Sequence, residues 1–262
     1  MDGRLSRWLP AVRRYLLDAA GAVRTPRANR HLAILLALIA GMLNSVGFVA
    51  VSVYTSHMTG LLASVADHAV LGSWDVVRVG AAAIAAFTTG AACCALLFNW
   101  GRRRDLRSRF ANVLVVEAVL VLVFGALADR LTWSHRAWVY ITVLGFTMGL
   151  QNAIITKISR AQIRTTHVTG MITDIGIELG KLAYRNRLPG ADPVRADLGK
   201  LGTLTAIVLS FFTGSALGAW GYAQLGFRVL LGPALLLLVA AAPPLLADLR
   251  RGRGRASRAL TH

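Results

Sequence analysis

The sequence has few cysteines and few acidic residues, and each shortage makes certain classes of protein improbable. Its two cysteines, Cys93 and Cys94, are adjacent and therefore do not face each other on a helix. We expect no structural disulfide between them, and no Cys/His spacing matches a zinc site. The chain has 12 acidic residues against 29 lysines and arginines. From these patterns we expect no bound metal and no cofactor.

The excess of basic residues gives a net charge of +17, which would indicate nucleic-acid binding in a soluble protein. Here the basic residues lie between and beyond long apolar runs, where cytoplasmic loops and anionic headgroups favour them. Membrane lipids are therefore the expected partners, and nucleic acid is not. No nucleophile–base pair or Gly-rich phosphate loop accompanies the few carboxylates, so the sequence does not indicate an enzyme.

Long apolar runs, by contrast, are abundant. Apolar residues make up 55% of the 262 residues, and the mean hydropathy is +0.57, far above the average for soluble proteins. Several runs reach the roughly 20 residues that a helix needs to cross a bilayer. We therefore predict an all-α, multi-pass membrane protein. The predicted spanning helices are 31–54, 76–100, 110–128, 137–156, 200–222 and 227–247.

Two short polar motifs recur about half a chain apart. Residues 56–60 read SHMTG and residues 166–170 read THVTG; a Gly-x-x-Asn pattern precedes each, and FTTG or FFTG follows. Because the three landmarks keep their order, we interpret them as an internal duplication. The predicted units are an Arg-rich amphipathic cytoplasmic segment 1–31, membrane repeats 32–128 and 129–247, and a basic cytoplasmic tail 248–262.

The basic residues also indicate whether the two TG segments, 56–72 and 165–184, cross the membrane. If neither crosses, six spans place 25 of the 29 lysines and arginines on the cytoplasmic side. If both cross, eight spans force two basic loops outside. We therefore predict six net transmembrane helices plus two re-entrant or broken TG helices, with both termini cytoplasmic.

In this topology each half crosses the membrane three times, so the second half is inverted relative to the first. Inverted repeats with broken helices that meet near the midplane are a transporter or channel architecture. The sequence leaves open whether the TG segments instead lie flat at the membrane surface.

Polar residues near the two breaks are candidates for binding a solute. Free N–H groups at the start of each TG helix favour an anionic or polar ligand, and a packing turn is the alternative. Amide side chains inside spans either line a pathway or hold helices together. The candidates are Asn44, His57, Thr59, Gly60, Gln151, Asn152, His167, Thr169 and Gly170.

Three carboxylates are candidates for ion or proton coupling. Glu117 lies within a strong span, where burial favours a bound proton, and a structural contact with a polar neighbour is the alternative. Asp174 and Glu178 are four residues apart on one face of the second TG helix. Lys181 follows Glu178 by three, so a surface ion pair on a solvated helix face is the alternative there.

The sequence contains the stretches GMLNSVGF, SHMTG, GLQNAIITKIS and RTTHVTGMITDIGIELG. Together they resemble the YoaK family of bacterial integral membrane proteins, a family defined as a domain of unknown function. The resemblance covers residues 32–247 and implies a protein of the bacterial cytoplasmic membrane, without a substrate or reaction. Relatives often have an acidic residue in place of Asn44 and Asn in place of Leu61, so no role is transferred to these positions.

Two functions are compatible with these features. The first is a small secondary transporter or permease for a small polar or anionic solute, with its site between the TG segments. The second is a membrane scaffold or sensor that binds lipid or a partner protein through its basic cytoplasmic face. The oligomeric state stays open, and a homo-oligomer is compatible with either function.

Overall fold

The computed structural model describes residues 26–132, 136–158, 166–187 and 192–259. These residues form α-helices and two short 3-10 turns, with no strand among them, so the predicted all-α class is confirmed. Most of the predicted N-terminal surface segment, 1–31, lies outside the described residues. Its last residues belong to the first helix.

Each half of the chain contributes four helices. Those of the first half are α1 (Pro26–Val51), α2 (Met58–Val70), α3 (Trp74–Arg103) and α4 (Ala111–Leu127). Those of the second half are α5 (Arg136–Ile158), α6 (Val168–Ala183), α7 (Leu198–Leu225) and α8 (Leu231–Ala259). The long helices coincide with the predicted spans, although α1 begins before its predicted span and α8 continues beyond its own. The short helices α2 and α6 coincide with the TG segments.

The long helices are apolar enough for a bilayer. Among the described residues, five helical stretches have the length and composition to cross: Arg27–Val51, Trp74–Arg103, Ala111–Arg130, Arg136–Lys157 and Leu198–Arg250. The last stretch contains both α7 and α8. Large apolar side chains stay exposed on the outer faces, including Leu96, Phe212 and Trp220, as hydrocarbon-facing surfaces require. The protein is therefore a multi-pass integral membrane protein.

The helices α1 and α5 lie at the centre of the bundle. In the most apolar part of each helix, 67% of α5 and 50% of α1 is buried inside the protein, as is 50% of α4, against 22% of α3. Helix α1 packs mainly on α7, α5 packs mainly on α3, and α4 packs on α8, while α1 and α5 also touch each other. The main interface of each central helix is therefore with a helix of the other half of the chain.

Glycines allow these helices to approach until their backbones touch. A Cβ atom at Gly41 on α1 would lie 2.2 Å from the carbonyl oxygen of Phe211 on α7. A Cβ atom at Gly149 on α5 would lie 1.9 Å from the carbonyl oxygen of Phe87 on α3. Both distances are far inside van der Waals contact, so only glycine fits. Such close crossings are a common basis of helix association in lipid.

The chain reverses between α7 and α8 at Gly226. Its φ of 59° and ψ of −146° lie in a region that essentially only glycine adopts. The N–H group of Phe227 donates to Asp129 at 3.4 Å, and the rings of Phe124 and Tyr140 pack edge-on against the Phe227 ring. This turn makes α7 and α8 two helices rather than one continuous rod.

The two short helices lie at the edges of the bundle. Helix α2 packs on α3, where the side chain of Val65 fits over Gly80, and none of its residues is fully buried. Helix α6 packs on α7 and buries Met171 and Glu178. Within the described residues α2 and α6 share no substantial interface.

Replacing Gly149 with alanine is expected to destabilise the protein by about 1–3 kcal/mol, because the added methyl group forces α3 and α5 apart. Gly176 on α6 is the matched control, since a Cβ atom there meets nothing within 4 Å and alanine favours a helix. Thermal unfolding of the purified variants measures both effects. An unchanged melting temperature for Gly149→Ala would contradict the close crossing of these helices.

Candidate functional site

The chain between α1 and α2 folds back along α1. The Oδ1 atom of Asn44, a residue that is 7% exposed, accepts hydrogen bonds from the Ser56 N–H group at 3.2 Å and the Ser56 hydroxyl at 2.9 Å. Buried Thr55 packs its methyl group against Gly47. Asn44 lies seven residues before the end of α1, which is roughly 10 Å along the helix axis. Because Ser56 is bonded to Asn44, the chain has returned by about this distance along α1 when α2 begins.

The same pairing of an amide with a hydroxyl occurs before α6. The Oδ1 atom of Asn152, which is 8% exposed, accepts a hydrogen bond from the Thr166 hydroxyl. The Asn152 side-chain nitrogen donates to the carbonyl oxygen of Met148 at 2.8 Å. In both halves the Asn of the Gly-x-x-Asn pattern therefore holds the residue that precedes the TG-motif histidine. This contact gives both amides a structural role.

The two histidines occupy the N-cap positions of the short helices. His57 precedes α2 and His167 precedes α6; both are exposed, and neither side chain caps its helix. The imidazole of His57 lies over Gly60, where a Cβ atom would be 2.1 Å from the ring. A Cβ atom at Gly170 would meet nothing within 4 Å among the described residues, so the second copy lacks this contact.

The remaining polar candidates divide between the surface and the core. Thr59 and Thr169, in the first turns of the short helices, are exposed. Gln151 is fully buried and donates from Nε2 to the carbonyl oxygen of Leu36 at 3.1 Å, which links α5 to α1. Its Oε1 atom has no partner within the described part of the chain. Gln151 thus lies in the central α1–α5 contact, whereas the two TG helices stay apart within the described residues.

Glu117 lies away from both TG motifs. Its side chain is fully buried on α4, whose main packing partners are α8, α5, the 3-10 turn Gly226–Leu230 and α3. Neither carboxyl oxygen has a hydrogen-bond partner among the described residues. Those residues also contain no cluster of three or more His, Cys, Asp or Glu side chains that could hold a metal ion.

The carboxylates of α6 fix this helix to the start of α7. Buried Glu178 accepts hydrogen bonds from the Lys181 ammonium at 2.9 Å and from the Asp197 backbone N–H group at 2.8 Å. Asp174 lies 3.3 Å from the Lys200 ammonium. The Asp197 N–H bond, followed by the Lys181 bond, lowers the pKa of Glu178. The Glu178 carboxylate is therefore an ionised clamp between the two helices.

Three partners of these side chains were not predicted from the sequence. Ser56 and Thr166 open the SHMTG and THVTG motifs, and the hydroxyl that both motifs begin with was the available signal. An Asp directly before a helix is a common N-cap residue, and the Asp197 carboxylate accepts from the backbone N–H of Lys200. Its own N–H bond to Glu178 had no signal in the sequence.

The comparison with known families matches residues 32–242, which include both TG motifs, Glu117 and Glu178. The chain belongs to the family described as protein of unknown function (DUF1275). This match confirms the resemblance carried by the motif stretches. No curated protein and no solved structure matches the chain significantly. The DUF1275 assignment therefore supplies the family and no reaction.

Glu178→Gln is expected to lower stability at neutral pH and to flatten the loss of stability in acid. Because the folded-state pKa of Glu178 lies below its usual 4.5, the ionised group stabilises the fold above that value. This contribution disappears as the pH falls through the folded-state pKa. Melting temperatures measured from about pH 3 to about pH 7 cover this window.

The matched control is Asp67→Asn, which removes an exposed carboxylate from α2 and is expected to change neither property. If the wild-type protein and Glu178→Gln lost stability in parallel in acid, the carboxylate clamp would be refuted.

Proposed function

We propose that the protein is a small secondary transporter or permease for a small polar or anionic solute. The observation that carries this proposal is the reciprocal packing of the two halves, in which each central helix packs mainly on a helix of the other half. In each half the chain also folds back along the central helix before the short helix begins. In our proposal these features reflect an inverted internal repeat. The starts of α2 and α6 then form the solute pathway.

The glycine contacts support the duplication because they connect equivalent landmarks. The Gly-x-x-Asn glycine of α1, Gly41, meets the FFTG phenylalanine of α7, Phe211. The Gly-x-x-Asn glycine of α5, Gly149, meets the first residue of FTTG on α3, Phe87. Exchanging the two halves therefore converts one interface into the other, as expected for a duplicated unit.

Helix lengths support six crossings. The stretch Leu198–Arg250 contains 53 residues, about 80 Å if straight, whereas the hydrocarbon core is about 30 Å thick. With the turn at Gly226 it provides two crossings and brings the total from five stretches to six. Helices α2 and α6, with 13 and 16 residues, are about 20 and 24 Å long and too short to cross.

Six crossings invert the second half, so α2 enters from the outside and α6 from the cytoplasm. In this topology both termini are cytoplasmic, and the protein resides in the cytoplasmic membrane, as the distribution of basic residues favours. Asn44 then satisfies the backbone N–H group of Ser56 before α2, and Asn152 accepts from the Thr166 hydroxyl before α6. The exposed N-cap histidines and the free N–H groups beside them face the pathway and favour an anion.

A scaffold or sensor is the second candidate. The observation that favours it is the basic end of α3, where the Arg104 guanidinium lies 4.7 Å from the centre of the Trp100 ring and Arg102 and Arg103 are exposed. An interfacial Trp with exposed arginines suits anionic headgroups or an acidic partner protein. We propose no enzymatic role.

His57→Ala and His167→Ala are each expected to fold and to abolish the response to solute. The purified wild-type protein is screened by thermal unfolding against small carboxylates, inorganic anions and neutral polar solutes. Those that stabilise it are then tested for uptake into proteoliposomes. A solute at 100 times its Kd is expected to stabilise the fold by about 2.7 kcal/mol.

The matched control is His68→Ala, because His68 lies on α2 and, among the described residues, its ring bonds to Ser64 of the same helix. Solute stabilisation and uptake at wild-type levels in both His57→Ala and His167→Ala would contradict the assigned pathway. Stoichiometric co-purification with a partner, without any stabilising solute, would favour the scaffold.

A further inference from the structure

Glu117 is the most enclosed carboxyl group in the described part of the chain. It is fully buried, and neither oxygen has a hydrogen-bond partner among the described residues. A structural carboxyl group would be expected to bond to a neighbour, as Glu178 does. Metal cations need several oxygen ligands, and a single isolated carboxyl group does not supply them. A proton is the ligand that this group can take alone.

Titratable and charged groups lie on each element packed against α4. The two 3-10 turns at the far end of α4, Ala128–Arg130 and Gly226–Leu230, carry Asp129, Arg130 and Arg228. Helix α3 contributes Cys94, and α5 contributes Lys157; both Lys157 and Glu117 act electrostatically on the Cys94 thiol. Helix α8 contributes Asp248, whose carboxylate is occupied by a backbone N–H group at 2.8 Å. The loop before α4 contributes Arg109, which lies against two phenylalanine rings. Lys157 is thus a cation on a packed helix that, like Glu117, acts on the Cys94 thiol.

The ammonium group of Lys157 lies over an aromatic ring. Its Nζ atom lies 5.0 Å from the centre of the Phe98 ring, and none of the described ion pairs includes it. Phe98 is four residues from Cys94 on the same face of α3. Phe98 also packs on Phe110, from which Glu117 lies roughly 10 Å further along α4. Phe98 and Phe110 mark one end of the bundle. Going inward from that end, Lys157 comes first, then Cys94 and then Glu117.

We propose that Glu117 binds and releases a proton through the end of α4 at which Phe110 lies. Lys157 is the positioning counter-charge that allows the Glu117 carboxyl group to ionise. The proposal rests on the proposed function, in which this end is cytoplasmic, and it makes the proton the coupling ion. On release, the O–H bond of the Glu117 carboxyl group breaks, the proton passes to water and a carboxylate remains. The Lys157 ammonium then turns from Phe98 towards that carboxylate. A cation on an aromatic ring is held weakly compared with an ion pair at low dielectric.

The test is an infrared pH titration of the full-length protein in lipid nanodiscs, from about pH 4 to about pH 10. The wild-type protein is expected to show the carbonyl band of a protonated carboxyl group in apolar surroundings, lost as the pH rises. Glu117→Gln is expected to remove this band, and Glu117→Asp to displace it. Lys157→Met is expected to raise the midpoint of the band's loss by about one pH unit or more, since an opposite charge is removed.

Lys157→Arg keeps the charge and is expected to keep the midpoint near that of the wild-type protein. Lys181→Met is the matched control, because Lys181 is bound to Glu178 on α6. A carbonyl band that does not change with pH would overturn the proton site. A midpoint that is the same in Lys157→Met and the wild-type protein would overturn the role of Lys157.

Failure of this proposal is distinguishable from failure of the proposed function, because the titration needs no solute. If the band titrated as expected but no solute stabilised the protein, the transport proposal would fail and the proton site would stand. If solute response were normal in Glu117→Gln and the band were absent from the wild-type protein, the reverse would hold.

Discussion

The close contacts between glycine and carbonyl groups are the constraint on which the rest of the structure depends. Gly41 brings α1 onto α7, and Gly149 brings α5 onto α3, each at a distance that a side chain would prevent. In hydrocarbon a helix gains little by exchanging lipid for an apolar neighbour, so close packing and hydrogen bonds decide which helices associate. Both crossings join one half of the chain to the other, so neither half has its principal interface within itself.

The same crossings determine where the short helices lie. Helices α1 and α5 are covered by each other and by α7 and α3. The short helices α2 and α6 therefore lie at the edges of the bundle, on α3 and α7. Their starts are tied to the centre by Asn44 and Asn152. The end of α6 has the further carboxylate clamp of Glu178.

The long helices could be predicted from the sequence because each needs an apolar run of about 20 residues to cross the membrane, and such runs are visible in the sequence. Helix α1 begins at Pro26 rather than at His31 because basic residues are tolerated at a membrane surface, so the helix outlasts the apolar run. The ion pair of Glu178 with Lys181 was open to prediction because it depends only on helical spacing.

The partners of the candidate site were harder to predict, because they depend on where the chain turns. The bond from Ser56 to Asn44 requires the chain to fold back along α1, and the bond from Asp197 to Glu178 requires a loop to return to α6. The placement of Lys157 over Phe98 arises from the crossing of α5 and α3. Helical spacing carries no information about contacts of this kind.

The proposed inversion of the two halves around their shared core can be tested by cysteine accessibility in whole cells. In a Cys93→Ala, Cys94→Ala background, single cysteines replace the exposed residues Ala63, Arg104 and Thr173, and an impermeant thiol reagent labels them. If the halves are inverted, Ala63→Cys is labelled in intact cells, and Arg104→Cys and Thr173→Cys are labelled only after permeabilisation. Labelling of Arg104→Cys from outside would mean eight crossings and a parallel repeat, and would rule out the inversion.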